Sequence, residues 1–397
     1  MNKIEEAGSL QQGHPVWQLA FRAGFLAAGL FAVAAMVRWL LWMEAPRHWD
    51  YRLPPNWWHA HEMVFGFAMP VVAGFLLTAV ANWTGISGTR GWRLQILFGL
   101  WLLARALLWL APGQVALAWA ADMGFLLLLT WELGSRVWAV RQWRNMWFPP
   151  ILLALAALDS LSFLHSDDPL FTTRLFYGTL WMVTTLVVII GGRVIPLFTG
   201  NRLGIRIPPL PQGIEYLAIS VTLLIGLVSA LLPWQAHMNW FSPLCLAAGV
   251  IHLYRLYRWQ GWKTLRIPLL WSMHLSYLCI PLALFALALS GADPVAAKNT
   301  MHLLAIGTLG GMILTMMSRV SLGHTGRSLD EVPSYMAGAF AMVLLAGLVR
   351  AFMPLLGPGA SPWAWRISAA LWIMAFSLFL WRYVPVLTRP RVDGKPG

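Results

Sequence analysis

Residues 59–85 read HAHEMVFGFAMPVVAGFLLTAVANWTG. Beyond its first five letters the stretch is an almost unbroken apolar run that stops at Thr84-Gly85. About 20 apolar residues is the length a helix needs to cross a bilayer. His59, His61 and Glu62 stand where that helix enters the membrane, and ionisable groups there are costly and mark function by default. Neutral imidazole is also the commonest protein ligand for transition metals. The stretch therefore sets two expectations, a membrane helix and a metal or haem site at one end of it.

The rest of the chain extends the first expectation. Of its 397 residues, 59% are hydrophobic and 11% charged, whereas a soluble domain carries about 25% charged residues. Apolar runs predict about twelve spans, near 18–43, 58–82, 94–111, 114–134, 147–165, 175–197, 213–233, 239–256, 266–290, 295–318, 333–351 and 362–384. The loops are mostly short. The expected architecture is an all-α integral membrane bundle over 18–384, between an N-terminal segment 1–17 and a tail 385–397. The first run is too long for a signal peptide and lacks a small-residue cleavage site, so it counts as a span.

A net charge of +13 suggests nucleic acid until its distribution is read. Nineteen of the 28 Lys and Arg residues fall on the N-terminal side of the predicted spans, six on the other side and three inside spans. That bias is the positive-inside rule, which predicts that both termini are cytoplasmic, with the bilayer and not nucleic acid as partner. Cys245 and Cys279 lie in spans and form no CxxC, so no disulfide framework or thiolate metal site is expected.

Three spans end alike. Span 6 runs into Arg193-Val194 and Thr199-Gly200, span 10 into Arg319-Val320 and Thr325-Gly326, and span 2 into Thr84-Gly85. His61 precedes Thr84, and His302 precedes Thr325, by the same 23 residues. Spans four apart correspond, which suggests three four-helix units and makes spans 2 and 10 equivalent. Gly after a helix is also an ordinary C-terminal stop.

HAHEMVFGFAMPVVAGF, GGRVIPLFTGN (191–201), His274 within LWSMHLSYLCIPL, and MHLLAIGTLGGMILTMMSRVSLGHTGR (301–327) resemble the NnrS family over nearly the whole chain. The resemblance implies a bacterial inner-membrane protein of about twelve helices, associated with haem b and copper and with the response to nitric oxide. It supplies no reaction. A fainter similarity is to subunit I of haem-copper oxidases and nitric-oxide reductases, where a haem-ligand His stands eleven residues before a Met-Pro. Here His59 is eleven before Pro70. Span 6 has no His and span 7 no adjacent His pair, so the oxidase-type copper site is not in its usual place.

His59 and His61 lie about 200° apart on a helix and cannot both face one site unless the turn is distorted. The His59 face continues through Met63 and Gly66, where a glycine leaves room for a flat macrocycle. The oxidase-like spacing favours His59 as haem ligand and the repeat favours His61; the reading leans to His59. His302 would oppose it, and bis-His haem suits electron transfer or sensing. His274 is a candidate for a second haem or for copper, His14 and His324 for a second metal site, and Met63 for copper through its thioether. Arg193, Arg319 and Arg327 could clamp haem propionates, or simply anchor the cytoplasmic face. Arg38, Arg105, Asp122 and Asp159 fall in the periplasmic thirds of their spans. Counted along the helical rise, Arg105 and Asp122 come level across a short loop and can pair. A proton path through Asp122 and Asp159 would have Glu62 as its entrance. His48, His165, His237 and His252 receive no role.

The functional expectation is a haem- and copper-binding protein of nitric-oxide defence or metabolism, in enzymatic form a haem-dependent oxidoreductase drawing on an unidentified electron donor. The rivals are a transporter of haem, copper or a small nitrogen species, and an assembly partner of another oxidoreductase.

Overall fold

A computed structural model of the chain describes residues 13–45, 52–330 and 332–394. His48, most of the segment 1–17 and the end of the 385–397 tail lie outside the described residues. Everything regular in the described part is helical. We number the long helices in chain order: α1 Ala20–Glu44, α2 Pro55–Thr84, α3 Trp92–Leu110, α4 Val115–Ala139, α5 Phe148–Leu164 and α6 Pro169–Leu203. They continue as α7 Gln212–Leu231, α8 Met238–Arg258, α9 Pro268–Leu289, α10 Pro294–His324, α11 Ser334–Phe352 and α12 Ala360–Thr388. Every predicted span has its helix. Eleven are long and apolar enough to cross a membrane. The exception is α8, whose sequence carries Asn239, His252, Arg255 and Arg258. The chain is an integral membrane protein.

The described contacts divide the chain into two units and not into three four-helix groups. The first holds α1 to α5 with the ends of α10 from Met317 and of α12 from Phe376. The second holds α6 from Thr173 through α9, the start of α10, α11 and the start of α12.

In the first unit α2 is not a uniform helix. It opens at Pro55, turns π-helical over Glu62–Ala68 and resumes as α-helix at Met69. Pro70 explains part of this, because it has no N–H to give the carbonyl one turn back. That carbonyl, Gly66 O, accepts instead from Trp101 Nε1 on α3 at 3.1 Å. The helix ends at Gly85, in the left-handed conformation (φ +70°) that a glycine cap allows. Buried Arg22 closes the end of α12, donating to Leu387 O at 2.9 Å and Arg389 O at 2.8 Å.

In the second unit α10 repeats the device. It is π-helical over Leu303–Gly310, directly after His302, and α-helical from Gly311. Gly307 lies close against Cys279 of α9 and Gly347 of α11, the close approach that small residues permit in membrane helix packing.

Candidate functional site

Four helices of the first unit place ionisable groups at the end formed by the 110–115 and 164–169 loops. His61 and Glu62 come from the junction of α-helix and π-helix in α2, Arg105 from α3, Asp122 from α4 and Asp159 from α5. All five are buried, His61, Glu62 and Asp159 completely. His61 Nε2 stands 2.9 Å from Asp159 Oδ1 and 3.6 Å from Asp122 Oδ2, and its Nδ1 stands 3.0 Å from Glu62 Oε1. Arg105 Nη1 reaches Glu62 Oε1 at 3.1 Å while its Nη2 pairs with Asp122. Trp109 Nε1 donates to the other Glu62 oxygen at 3.1 Å. The His61 ring stacks on Trp57 at 4.5 Å, and Trp57 is held by its own bond to Ser162 O at 2.8 Å.

The charges do not balance. Three carboxylates face one guanidinium, a formal charge of −2 with a neutral imidazole. Both imidazole nitrogens face carboxylate oxygens, which only accept when ionised. Both ring nitrogens therefore donate, and the imidazolium reduces the charge to −1. Asp159 Oδ2 is buried without a hydrogen-bond partner. Uncompensated charge at this depth is prohibitively costly, so neutrality requires either one more proton on a carboxyl or a cation in the cluster. His61, Asp122 and Asp159 each offer one ligand atom, all within 4.8 Å of one another.

The pairing of Arg105 with Asp122 follows the helix arithmetic. Three expectations change. The reading that leaned to His59 meets a structure in which His61 enters the acid cluster, while half-buried His59 stacks on Trp39 at 4.2 Å. Glu62, expected as a proton entrance, is fully buried behind Arg105 and Trp109. The space beside Gly66, expected to admit a flat macrocycle, is taken by the Phe31 ring. Met63 sits half-buried in the first π turn.

His302 belongs to the second unit. Its Nδ1–H donates to Lys298 O at 2.8 Å, which leaves the lone pair on Nε2, the tautomer of a metal ligand. Half-buried Arg193 lies on α6. His274 Nε2 bonds Thr199 Oγ1 at 3.0 Å, and its Nδ1 is buried with no hydrogen-bond partner. In the first unit, His324 packs on Phe21 and its carbonyl accepts from Arg391, while exposed His14 accepts from Val16 N–H at 3.4 Å. Arg319 and Arg327 are half-buried beside that carbonyl's helix end.

Sequence reasoning missed a second buried network. Arg255 joins Glu215 at 2.6 Å and the Tyr277 hydroxyl; Tyr277 stands 2.8 Å from His252 Nδ1, and His252 Nε2 3.0 Å from Thr222 Oγ1. Thr222 gives its own proton to Ala218 O, so the chain of donors runs from Arg255 through Tyr277 and His252 to Thr222. The signal was present in α8, the one helix too polar to qualify as a span. Every ring nitrogen of His252 is used within this network, unlike that of His274.

The family model described as NnrS protein matches residues 15–391, and the chain belongs to that family. No curated protein matches the chain.

Proposed function

We propose, for this member of the NnrS family, a metal-dependent membrane protein of the nitric-oxide response in which His61, Asp122 and Asp159 hold one divalent cation. The observation that carries the reading is the buried charge of three carboxylates against one guanidinium. A divalent ion bound to a neutral imidazole cancels the charge of −2 left by these groups. Without metal, the same neutrality needs two protons, one on His61 and one on a carboxyl. Binding is therefore an exchange of one ion for two protons. One imidazole and two carboxylates suit Mn²⁺, Fe²⁺ or Zn²⁺ better than Cu⁺, and three protein ligands leave positions open. An open ferrous site supplies the chemistry that binds nitric oxide.

Haem b and copper belong to the proposal on the family resemblance. The His61 cluster does not suit them, since its other donors are hard carboxylate oxygens and the neighbouring glycine space is filled. His274, with an orphaned Nδ1, and His302, with its ligand tautomer, are the better axial candidates. Copper would go to softer donors than this acid cluster offers. A cytoplasmic orientation of both termini follows from the arginine distribution. The ion-for-proton exchange also favours a second reading, a transporter of the same cation.

The experiment is a metal titration of the detergent-purified, metal-stripped protein in weak buffer with a pH dye. We expect one Mn²⁺, Fe²⁺ or Zn²⁺ bound and about two protons released per ion, both lost in Asp159→Asn. A haemochrome assay on His61→Ala, His274→Ala and His302→Ala locates any haem. Stoichiometric metal retained by both Asp122→Asn and Asp159→Asn would overturn the proposed centre. Movement of the bound ion across vesicles would select the transporter.

A further inference from the structure

At the other end of the first unit, a cavity of about 630 Å³ opens between the segment leading into α1, the 85–91 loop, the start of α3 and the end of α4. Its volume falls within the usual range of ligand sites, about 300–1,000 Å³. His14, Trp17, Arg90, Trp92, Arg93 and Arg136 are in its wall, and among the described residues no acidic side chain lines it. Among the described residues the carboxylate of Glu132 is committed to Arg136 at 2.7 Å and Thr89 at 2.7 Å and lies 4.0 Å from Arg93. One negative charge thus stands against three guanidiniums among the described residues. Arg90 is half-buried and bonds to no described residue.

The wall is built in advance of any ligand. Gly91 N–H donates to Trp17 O at 2.8 Å, and Arg136 Nε donates to Ser87 O at 3.0 Å, so the loop is tied to the turn before α1 and to α4. Gly91 takes a positive φ of 59° and α3 starts without a side-chain cap. The cavity lies at the ends of membrane helices, where headgroup phosphates sit, and exposed Trp92 is followed one turn later by exposed Ile96 on the same helix. An amphiphile with an anionic head and an apolar tail matches that sequence of surfaces, since guanidinium binds phosphate bidentately and basic pockets between membrane helices hold anionic headgroups.

We propose that this cavity is a binding site for the phosphate headgroup of an anionic phospholipid, with Arg90 as its principal contact, Arg93 beside it and the acyl chains along the exposed face of α3. The site stands apart from the metal chemistry at His61 and rests on none of it.

The test compares the full-length protein in nanodiscs of phosphatidylcholine alone with nanodiscs containing phosphatidylglycerol. Retained lipid is read by native mass spectrometry and stability by thermal unfolding. We expect the wild type to retain phosphatidylglycerol with a several-fold preference and a raised unfolding midpoint. Arg90→Gln/Arg93→Gln should lose both effects. The charge-matched control Arg141→Gln/Arg144→Gln, outside the cavity, should keep them. Equal retention of the two lipids by the wild type, or an equal loss in both double variants, would overturn the assignment. Inorganic phosphate is titrated separately into the phosphatidylcholine discs. If it raises the midpoint as fully as phosphatidylglycerol does, the site takes a soluble phosphate and the lipid assignment fails.

Discussion

The His61 region of the first unit and the His302 region of the second are built to one plan and charged in opposite senses. Each has a histidine followed at once by a π-helical segment, Glu62–Ala68 in one and Leu303–Gly310 in the other. In each an arginine arrives near the end of the next helix in the pattern, Arg105 on α3 and Arg350 on α11. Arg105 meets Glu62 and Asp122. Arg350, also buried, meets Asn299 Oδ1 at 2.6 Å, the face of Trp365 at 5.8 Å and the neighbouring Tyr177 phenol, and among the described residues no carboxylate pairs with it. Asp122 stands near the start of α4, and Trp365 near the start of α12, so an aromatic ring replaces a carboxylate opposite the guanidinium. A histidine followed by a π-helical segment, with a buried arginine on a neighbouring helix, is common to both regions. Among the described residues, a surplus of carboxylates is found only in the first.

The largest effect should come from taking the guanidinium away from the acid-rich region. Arg105→Met leaves three carboxylates and no fixed cation, and breaking a buried pair costs about 3–5 kcal/mol. Arg350→Met removes only hydrogen-bonding and cation–π contacts, about 1–3 kcal/mol. Thermal or denaturant unfolding in detergent ranks the two. Adding Asp122→Asn to Arg105→Met should return part of the loss as a coupling term. Equal losses at Arg105 and Arg350, or no coupling with Asp122, would break the comparison.

A middle effect belongs to the glycines of the π segments. Gly66 and Gly307 occupy matching positions, five residues after His61 and His302. A side chain at Gly66 would run into the Phe31 ring, which is itself wedged against Trp101 and Trp109 at 5.7 and 5.5 Å. One at Gly307 would lie 2.6 Å from Cys279 Sγ. Overpacking of this kind costs about 1–3 kcal/mol, partly offset by the better helix propensity of alanine, about 1 kcal/mol. Gly66→Ala and Gly307→Ala should each lower the unfolding midpoint, with Phe31→Leu and Cys279→Ala as their respective suppressors. A suppressor that works at one site and fails at the other would show that the two segments are not packed alike.

Most of the fold was legible because membrane helices announce themselves by apolar length, and even α8, diluted by His252 and Arg255, is a helix where 239–256 was expected. The meeting of Arg105 with Asp122 was legible because a short loop fixes two antiparallel helices in register. Convergence of His61 with Asp159 was not, since it depends on which face of α5 turns inward and on a π-helical turn that shifts the phase of α2. An ideal helix puts His59 and His61 on opposing faces but does not say which is the inner one. The network of Glu215, Arg255, Tyr277 and His252 was hidden for a related reason: its members are spread over three helices, and each alone reads as an anchor or a helix end.

The smallest effect sharpens the comparison most. Asn299→Asp gives Arg350 the carboxylate that its counterpart enjoys, through an atom already at 2.6 Å. A charge-assisted hydrogen bond is roughly twice as strong as a neutral one, but the added charge must be desolvated, so the net gain should be about 1 kcal/mol or less. The variant should unfold slightly later than the wild type and bind no additional Mn²⁺, Fe²⁺ or Zn²⁺. One carboxylate beside a guanidinium is neutral overall, whereas the cluster around His61 exceeds its guanidinium by two carboxylates. If Asn299→Asp acquires a metal at His302, a histidine with a single acid suffices, and the surplus charge in the first unit must serve another purpose, such as storing protons. If it binds none while Asp159→Asn loses the ion at His61, the surplus itself is what makes that region a cation site.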